Sequence, residues 1–272
     1  MSDALIPCTV QVLTHNNAST IRRNLDSLRE FGEVIVQDGY STDGTREIAR
    51  EYPNVRLLDQ DRRFLGGDGY INDFSSMRNL SIFAAKYDWI FPEDADEYLS
   101  PEVIKEIRSI VECGVPGVYQ AFRRFFINGE PVMHSSGYPA MQIRLFHRLC
   151  TVTGYRKPVH ELLTLQPNVL VRMLRHELPL PLPPAESLHR KYRRYLDMEA
   201  KRHQGITFLQ WLSSVVRRSI RTMTYISLRT LWIRITPRSG KRMPIAYEWQ
   251  AIEYSFLLMI LTFPLFNRSP KQ

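Results

Sequence analysis

The chain has 272 residues, 44% hydrophobic and 24% charged, which is ample for a buried core and excludes wholesale disorder. Its three scattered cysteines, Cys8, Cys113 and Cys150, exclude a disulfide framework and a cysteine zinc site, and reduced thiols fit a cytosolic address. The net charge of +8 is uneven: residues 187–242 carry fourteen Lys or Arg against only Asp197 and Glu199, leaving the remainder mildly acidic.

Residues 1–5 lack the basic and apolar regions of a secretory leader. Residues 8–14 alternate polar and apolar side chains and are β-branched, predicting a strand. After His15-Asn16-Asn17, apolar residues at 21, 25 and 28 predict a helix with Asn17 or Ser19 as N-cap and Gly32 as its stop. Residues 34–36 read as a buried strand ending in Gln37-Asp38-Gly39. A second helix, capped near Thr42 or Asp43, runs to about Tyr52, and residues 55–58 form a third strand. Alternation of this kind predicts an α/β fold built on a mostly parallel central sheet, with helices on both faces.

Beyond the glycine-rich residues 65–70, a helix over 74–85 leads to a strand at 89–91 and then to Pro92-Glu93-Asp94-Ala95-Asp96-Glu97. Ser100-Pro101 starts a helix that ends near Glu112. Residues 115–163 read as short strands with a hairpin turn at Asn128-Gly129. The alternating leucines and prolines of 178–184 read as a linker, and the chain is helical after it.

In open α/β sheets ligands bind beyond the carboxyl ends of the parallel strands, where Asp38 and the cluster Glu93-Asp94-Ala95-Asp96-Glu97 are expected. Crowded carboxylates call for a neutralising cation, and a hard divalent ion that also holds a phosphate is the natural one. A solvated acidic turn ahead of a helix is the alternative, and the cluster alone does not choose.

The strand, Thr14-His15-Asn16-Asn17, the helix, and then the strand ending Gln37-Asp38-Gly39-Tyr40-Ser41-Thr42-Asp43-Gly44-Thr45 resemble the amino-terminal half of family 2 glycosyltransferases of GT-A (Rossmann-like) fold. Arg78-Asn79 is similar to that family's Arg-Asn helix, and Asp94-Ala95-Asp96 to its Asp-X-Asp motif. Val159-His160-Glu161 resembles the Val-His-Glu of the branch containing bacterial lipopolysaccharide-core and polysaccharide glucosyltransferases. Gln37 before Asp38 and the inserted Tyr40 depart from the usual text.

The resemblance implies an inverting transferase that moves a hexose from a nucleotide-sugar, most often a UDP-sugar, to a saccharide acceptor in envelope polysaccharide or lipopolysaccharide synthesis. It implies that Thr14, Asn16, Asp38, Arg78 and Asp94 bind the donor. Asp94, Asp96 and His160 would hold Mg²⁺ or Mn²⁺, and Glu161, or in second place Glu97, would act as base. Arg144 matches a strand motif of the family, or makes a structural salt bridge. Two rivals stand beside this reading. A nucleotidyltransferase would carry a Gly-rich phosphate loop after the first strand, which His15-Asn16-Asn17-Ala18 is not; a non-catalytic adaptor would keep the fold without turnover.

Within residues 208–235, Phe208, Leu212, Val215, Val216, Ile220, Met223 and Ile226 are expected on one helical face, with Arg217, Arg218, Arg221 and Arg229 on another. No acid occurs between Glu199 and Glu248. Such a basic amphipathic helix reads as lying on an anionic membrane surface, where Trp211, Tyr225 and Trp232 suit the interface. The uncharged run 254–266 falls short of the roughly 18–20 residues that span a bilayer, so it reads as interfacial or packed. Packing on the catalytic domain, or dimerisation, is the alternative; no nucleic-acid motif accompanies the charge, and the oligomeric state is open. The expected organisation is a catalytic domain over 1–177 (nucleotide half 1–100, acceptor half 101–177), a linker at 178–187, and a membrane-associating helical region at 188–272. This places the protein peripherally on the inner face of the cytoplasmic membrane, with a lipid-linked saccharide as acceptor.

Overall fold

The first strand, β1 (Ile6–Thr14), is buried at every position but one, as a strand covered on both faces must be. The computed structural model describes residues 4–158 and 161–264. It divides into two units, Met1–Arg123 with Ala140–Leu180, and Arg124–Pro139 with Pro181–Gln272.

In the first unit β1 is followed by α1 (Ala18–Ser27), β2 (Phe31–Asp38), α2 (Thr45–Arg50), β3 (Val55–Asp59), α3 (Phe74–Ala84), β4 (Trp89–Asp94) and α4 (Pro101–Glu112). Then come β5 (Val118–Ile127), β6 (Glu130–Pro131), β7 (Ala140–His147), β8 (Thr151–Arg156), β9 (Leu162–Leu165), β10 (Val171–Met173) and β11 (Leu178–Pro181), of which β6 and the end of β5 lie in the second unit. The sheet order is β10–β5–β7–β4–β1–β2–β3, and β11 also pairs with β5. β1 runs parallel to β2 and β4, and β2 to β3, while β7 is antiparallel to both β4 and β5.

Side chains alternate across a strand, so one sheet buries two different sets of residues. Val10, Val12 and Phe91 join one cluster with Ile21 and Leu25 of α1 and Val103 and Ile107 of α4. Leu13 packs instead with Met77 of α3, and Ile90 with Ile82 of α3. Helices therefore cover both faces, and the expected mixed, mostly parallel α/β architecture is present.

Several sequence expectations need correction. Gly32 does not stop α1, which ends at Ser27 with Leu28 as its cap; it lies inside β2, where an added Cβ would sit 2.6 Å from the Tyr87 ring. α2 begins at Thr45 behind Gly44, whose φ of 91° favours glycine, and stops at Arg50. The stretch 178–187 is not an unstructured linker. Leu178–Pro181 forms β11, because buried Leu178 anchors it in the main core and prolines are tolerated beside a sheet where no ladder donor is needed.

The second unit contains α5 (Ala185–Arg202), α6 (Phe208–Gln210), a π-helical segment Trp211–Val216, α7 (Arg217–Ile235) and α8 (Ile245–Leu261). Ile127, Val132 and Met243 form its small core, backed by Phe125, Leu182 and Tyr247. Buried Glu248 accepts hydrogen bonds from the Ser136 amide (2.9 Å) and hydroxyl. The single apolar face expected for 208–235 does not form. Val215 and Ile226 are buried, but Phe208, Leu212 and Ile220 are exposed, and the π segment Trp211–Val216 interrupts the α-helical spacing from which one face is expected.

Candidate active site

The sheet register brings the ends of adjacent parallel strands into one row. Thr14 is paired with Asp38, Leu13 with Asp94, and Asp38 with Asp59. This is the rim at which an open α/β sheet binds its ligand.

Segments 14–17 and 38–45 are laced together there. Asn16 stands at φ 53°, a left-handed conformation that asparagine tolerates; its amide donates to Ser41 Oγ (2.8 Å) and its side-chain oxygen accepts from the Thr42 amide (2.9 Å). Asn17 accepts from the Thr14 hydroxyl (3.1 Å) and its own amide donates to Thr45 Oγ1 (2.8 Å). Asp38 is fully buried and saturated: it accepts from the Ser41 hydroxyl (2.5 Å), the Ser41 amide (2.9 Å) and Arg46 (2.9 Å), and Arg46 also reaches Asp59 (2.6 Å). The Gln60 amide donates to the carbonyls of Thr14 (3.1 Å) and Gln37 (3.0 Å). A Cβ on Gly39 would lie 2.8 Å from Gln60 Oε1, so the close approach requires glycine.

The acidic cluster runs from the end of β4 into the turn after it and divides there: Glu93, Ala95 and Glu97 are buried, while Asp94 and Asp96 stay partly exposed. Arg144 serves both glutamates, at 2.6 Å from Glu93 and 2.5 Å from Glu97, and Arg123 adds a second ion pair to Glu97. Burial pushes the Glu93 carboxyl up to about 7 against the pull of Arg144, and burial beside Arg144 lowers Arg123 to about 10. Arg144 thus takes the salt-bridge alternative, and Glu97, buried under two guanidiniums, is set aside as an acceptor base. The fully buried Asn24 of α1 fixes the turn by donating to the carbonyls of Asp94 (3.2 Å) and Glu97 (3.1 Å).

Arg78 joins the two halves of the site. It lies on α3, which Asp73 caps by accepting from the Ser76 amide at 3.0 Å. Buried to 7% exposure, it donates from Nε to Glu161 (3.1 Å) and from Nη2 to Asp94 (2.9 Å); Nη1 is buried and has no partner among the described residues. Burial works against its charge, but Asp94 and Glu161 outweigh that and hold the guanidinium above its ordinary value. The neighbouring Asn79 bonds the Tyr155 amide (2.7 Å) and carbonyl (2.9 Å), and the Phe74 amide donates to Pro158 (2.9 Å). The start of α3 therefore fixes the chain that leads to Glu161.

Thr14, Asn16, Asp38, Arg78, Asp94 and Glu161 all lie at or beside this rim, with Arg78, Asp94 and Glu161 in direct contact. His160 lies outside the described residues. Among the described residues no three His, Cys, Asp or Glu side chains gather as a metal cage. The donor set nonetheless fits Mg²⁺ or Mn²⁺, which takes one or two carboxylates and leaves its other positions to phosphate and water: Asp94 is 46% exposed at its side chain and Asp96 lies two residues on. Sequence reasoning missed Asn24, Arg46, Gln60 and Arg123. Asn24 alone left a signal, a polar residue three positions after Ile21 on the apolar stripe of α1.

A match to the family described as glycosyl transferase family 2 covers residues 9–162, more than half of the chain. A curated relative, the SPbeta prophage-derived glycosyltransferase SunS of Bacillus subtilis (strain 168), is 34% identical over 145 residues, covering 46% of this chain and 32% of the relative. An uncharacterized glycosyltransferase of Rickettsia felis is 33% identical over 113 residues, 41% of this chain and 36% of that protein. The chain thus spans about a third of the length of these relatives. Among solved structures, S. aureus TarS 1–349 in complex with UDP-GlcNAc aligns over 93% of this chain and 90% of that one, at 14% identity and a TM-score of 0.44.

Proposed function

The chain belongs to glycosyl transferase family 2, and from that membership and the site geometry we propose that it transfers a hexose from a nucleotide-sugar, a UDP-sugar in the first instance, to a saccharide acceptor with inversion. The observation that carries the proposal is the contact of Arg78 with both Asp94 and Glu161 at the carboxyl ends of the strands, beside Asp96.

Thr14, Asn16 and the loop held by Asp38 form the donor side of the site. Asp94 and Asp96 would hold Mg²⁺ or Mn²⁺, with His160 as a proposed further ligand. A bound divalent ion supplies positive charge to a departing nucleoside diphosphate. Glu161, 19% exposed at its side chain, accepts the proton of the acceptor hydroxyl as it attacks, and Arg78 fixes the direction its carboxylate faces. Alignment of donor carbon and acceptor oxygen supplies much of the remainder, and a single in-line displacement turns an α-linked donor into a β-linked product.

We place the acceptor on a lipid and the protein on the inner face of the cytoplasmic membrane, within envelope polysaccharide or lipopolysaccharide synthesis. Exposed Ile220, Leu228, Leu231, Trp232, Trp249 and Phe256 on α7 and α8 support this. Among the described residues no helix is long and apolar enough to cross a membrane, and the association we propose is peripheral.

The test is a panel of UDP- and GDP-sugars with Mn²⁺, comparing the full chain with Asp96→Asn. The parent should turn over one donor, give a β-linked product by NMR, and be thermally stabilised by the matching nucleoside diphosphate only with Mn²⁺. Asp96→Asn should lose turnover and retain the parent melting temperature. Equal turnover by the variant, or an α-linked product, overturns the reading.

A further inference from the structure

A cavity of about 510 Å³ in the second unit is lined by Ser213, Ser214, Arg217, Arg218 and Arg221. These positions repeat at intervals of four along a continuous helical run, so the residues form two adjacent rows on one face. The π segment sets them there. Ser213 and Ser214 both donate to the Gln210 carbonyl (3.2 and 2.5 Å), leaving the three guanidiniums as the charged donors of the cavity.

Among the described residues their charge has no carboxylate counterpart. No ion pair reaches Arg217, Arg218 or Arg221 from any described residue, and all three are exposed. The nearby acids are engaged elsewhere: Glu199 with Arg202 and His203, Glu248 with Ser136, and Glu253 with His189. Arg229 is also spent, on the Tyr225 hydroxyl and the Tyr138 carbonyl. Three neighbouring cations without a carboxylate define a site for an anion, and guanidinium forks match phosphate oxygens two at a time.

The helical run that carries the cavity also exposes apolar side chains: Phe208, Leu209, Leu212 and Ile220 are 54%, 74%, 45% and 51% exposed. A free phosphate has no use for apolar groups exposed on the same run. A phosphate carrying acyl chains does, since the rings and aliphatic groups enter the head-group boundary while the arginines stay with the charge.

We propose that Arg217, Arg218 and Arg221 form a phosphate-binding cleft for the head group of an anionic phospholipid, and that this cleft fixes the second unit on the membrane. The inference rests on the peripheral-membrane reading above and narrows it to one site.

Sedimentation with vesicles of phosphatidylcholine alone, and with 30% phosphatidylglycerol, tests it on the full chain. The parent should sediment with the anionic vesicles and lose binding as salt rises. R217Q/R218Q/R221Q should weaken that binding on the order of 100-fold, the product of three head-group contacts. R190Q/K191Q/R193Q removes equal charge from exposed positions of α5 and should weaken it less than 10-fold. Unchanged melting temperatures establish that both variants are folded. Full binding by R217Q/R218Q/R221Q, or equal loss in the two variants, overturns the cleft and leaves the peripheral reading standing. A parent that binds neither vesicle overturns both; a parent that prefers an oligonucleotide to vesicles overturns the lipid assignment.

Discussion

Removing the Arg78 guanidinium separates the two roles given to it, holding the site together and neutralising its carboxylates. Arg78→Met keeps the volume and the helix but withdraws both ion pairs. The Asp94 pair is half-exposed on its acidic side (46%) and contributes about 0–1 kcal/mol. The Glu161 pair is 8% and 19% exposed, and stripping a partner from a fully buried pair costs about 3–5 kcal/mol, so the lower end applies. The expected loss is about 3 kcal/mol, or roughly 6–12 °C in melting temperature at about 2–4 °C per kcal/mol for a chain of this size.

Most of that loss is the uncompensated Glu161 carboxylate. The double variant Arg78→Met/Glu161→Gln should therefore be more stable than the sum of the two single variants, by about 1–2 kcal/mol of coupling. Urea unfolding of the four proteins measures it. Additive effects would refute the Arg78–Glu161 interaction and, with it, the claim that Arg78 orients the base.

Asn24→Ala leaves the Asp94 and Glu97 carbonyls without their donor, so it should lower turnover of the donor sugar more than stability, with a stability loss of about 1–3 kcal/mol by chemical denaturation. Arg144→Met strands the buried Glu93, while Glu97 keeps Arg123, and should cost about 3 kcal/mol, with Arg144→Met/Glu93→Gln recovering part of it; no recovery would show that Glu93 and Arg144 are not electrostatically coupled. His147 accepts the Leu149 amide at Nδ1 (3.2 Å), and burial lowers its pKa below the ordinary value near 6.5, so its neutral form belongs to the fold. Stability should therefore be full above pH about 6.5 and fall as pH drops through the lowered value, and His147→Asn should flatten melting temperature against pH in that window.

The strand ends were legible because periodicity and the placement of Asp38 and Asp94 require only local information. Residues that read as loops or helix faces, such as Gln60 and Arg46, act across 20 or more positions or across a turn, and nothing in their neighbourhoods marks them. Residues 178–184 misled for a related reason. Prolines forbid a ladder donor but not a strand, and only the neighbour β5 makes Leu178–Pro181 extended. The helical face of 208–235 is hard to read because a π segment inside the run breaks the 3.6-residue spacing and leaves no mark in the composition.

Four acids in five residues would make a single anionic patch, but they divide between inside and outside where β4 ends and the chain turns. Glu93 and Glu97 turn inward and bind Arg144, which gives the turn its rigidity at the cost of two buried charges. Asp94 and Asp96 turn outward, where their carboxylates remain partly hydrated. The segment Glu93-Asp94-Ala95-Asp96-Glu97 therefore combines a buried pair held by Arg144 with a pair that stays partly exposed. The antiparallel contact of β7 with Trp89 and Ile90 carries Arg144 to Glu93 and Glu97, and the Asn24 side chain holds the Asp94 and Glu97 carbonyls, so contacts from β7 and α1 decide which acids of the turn face inward.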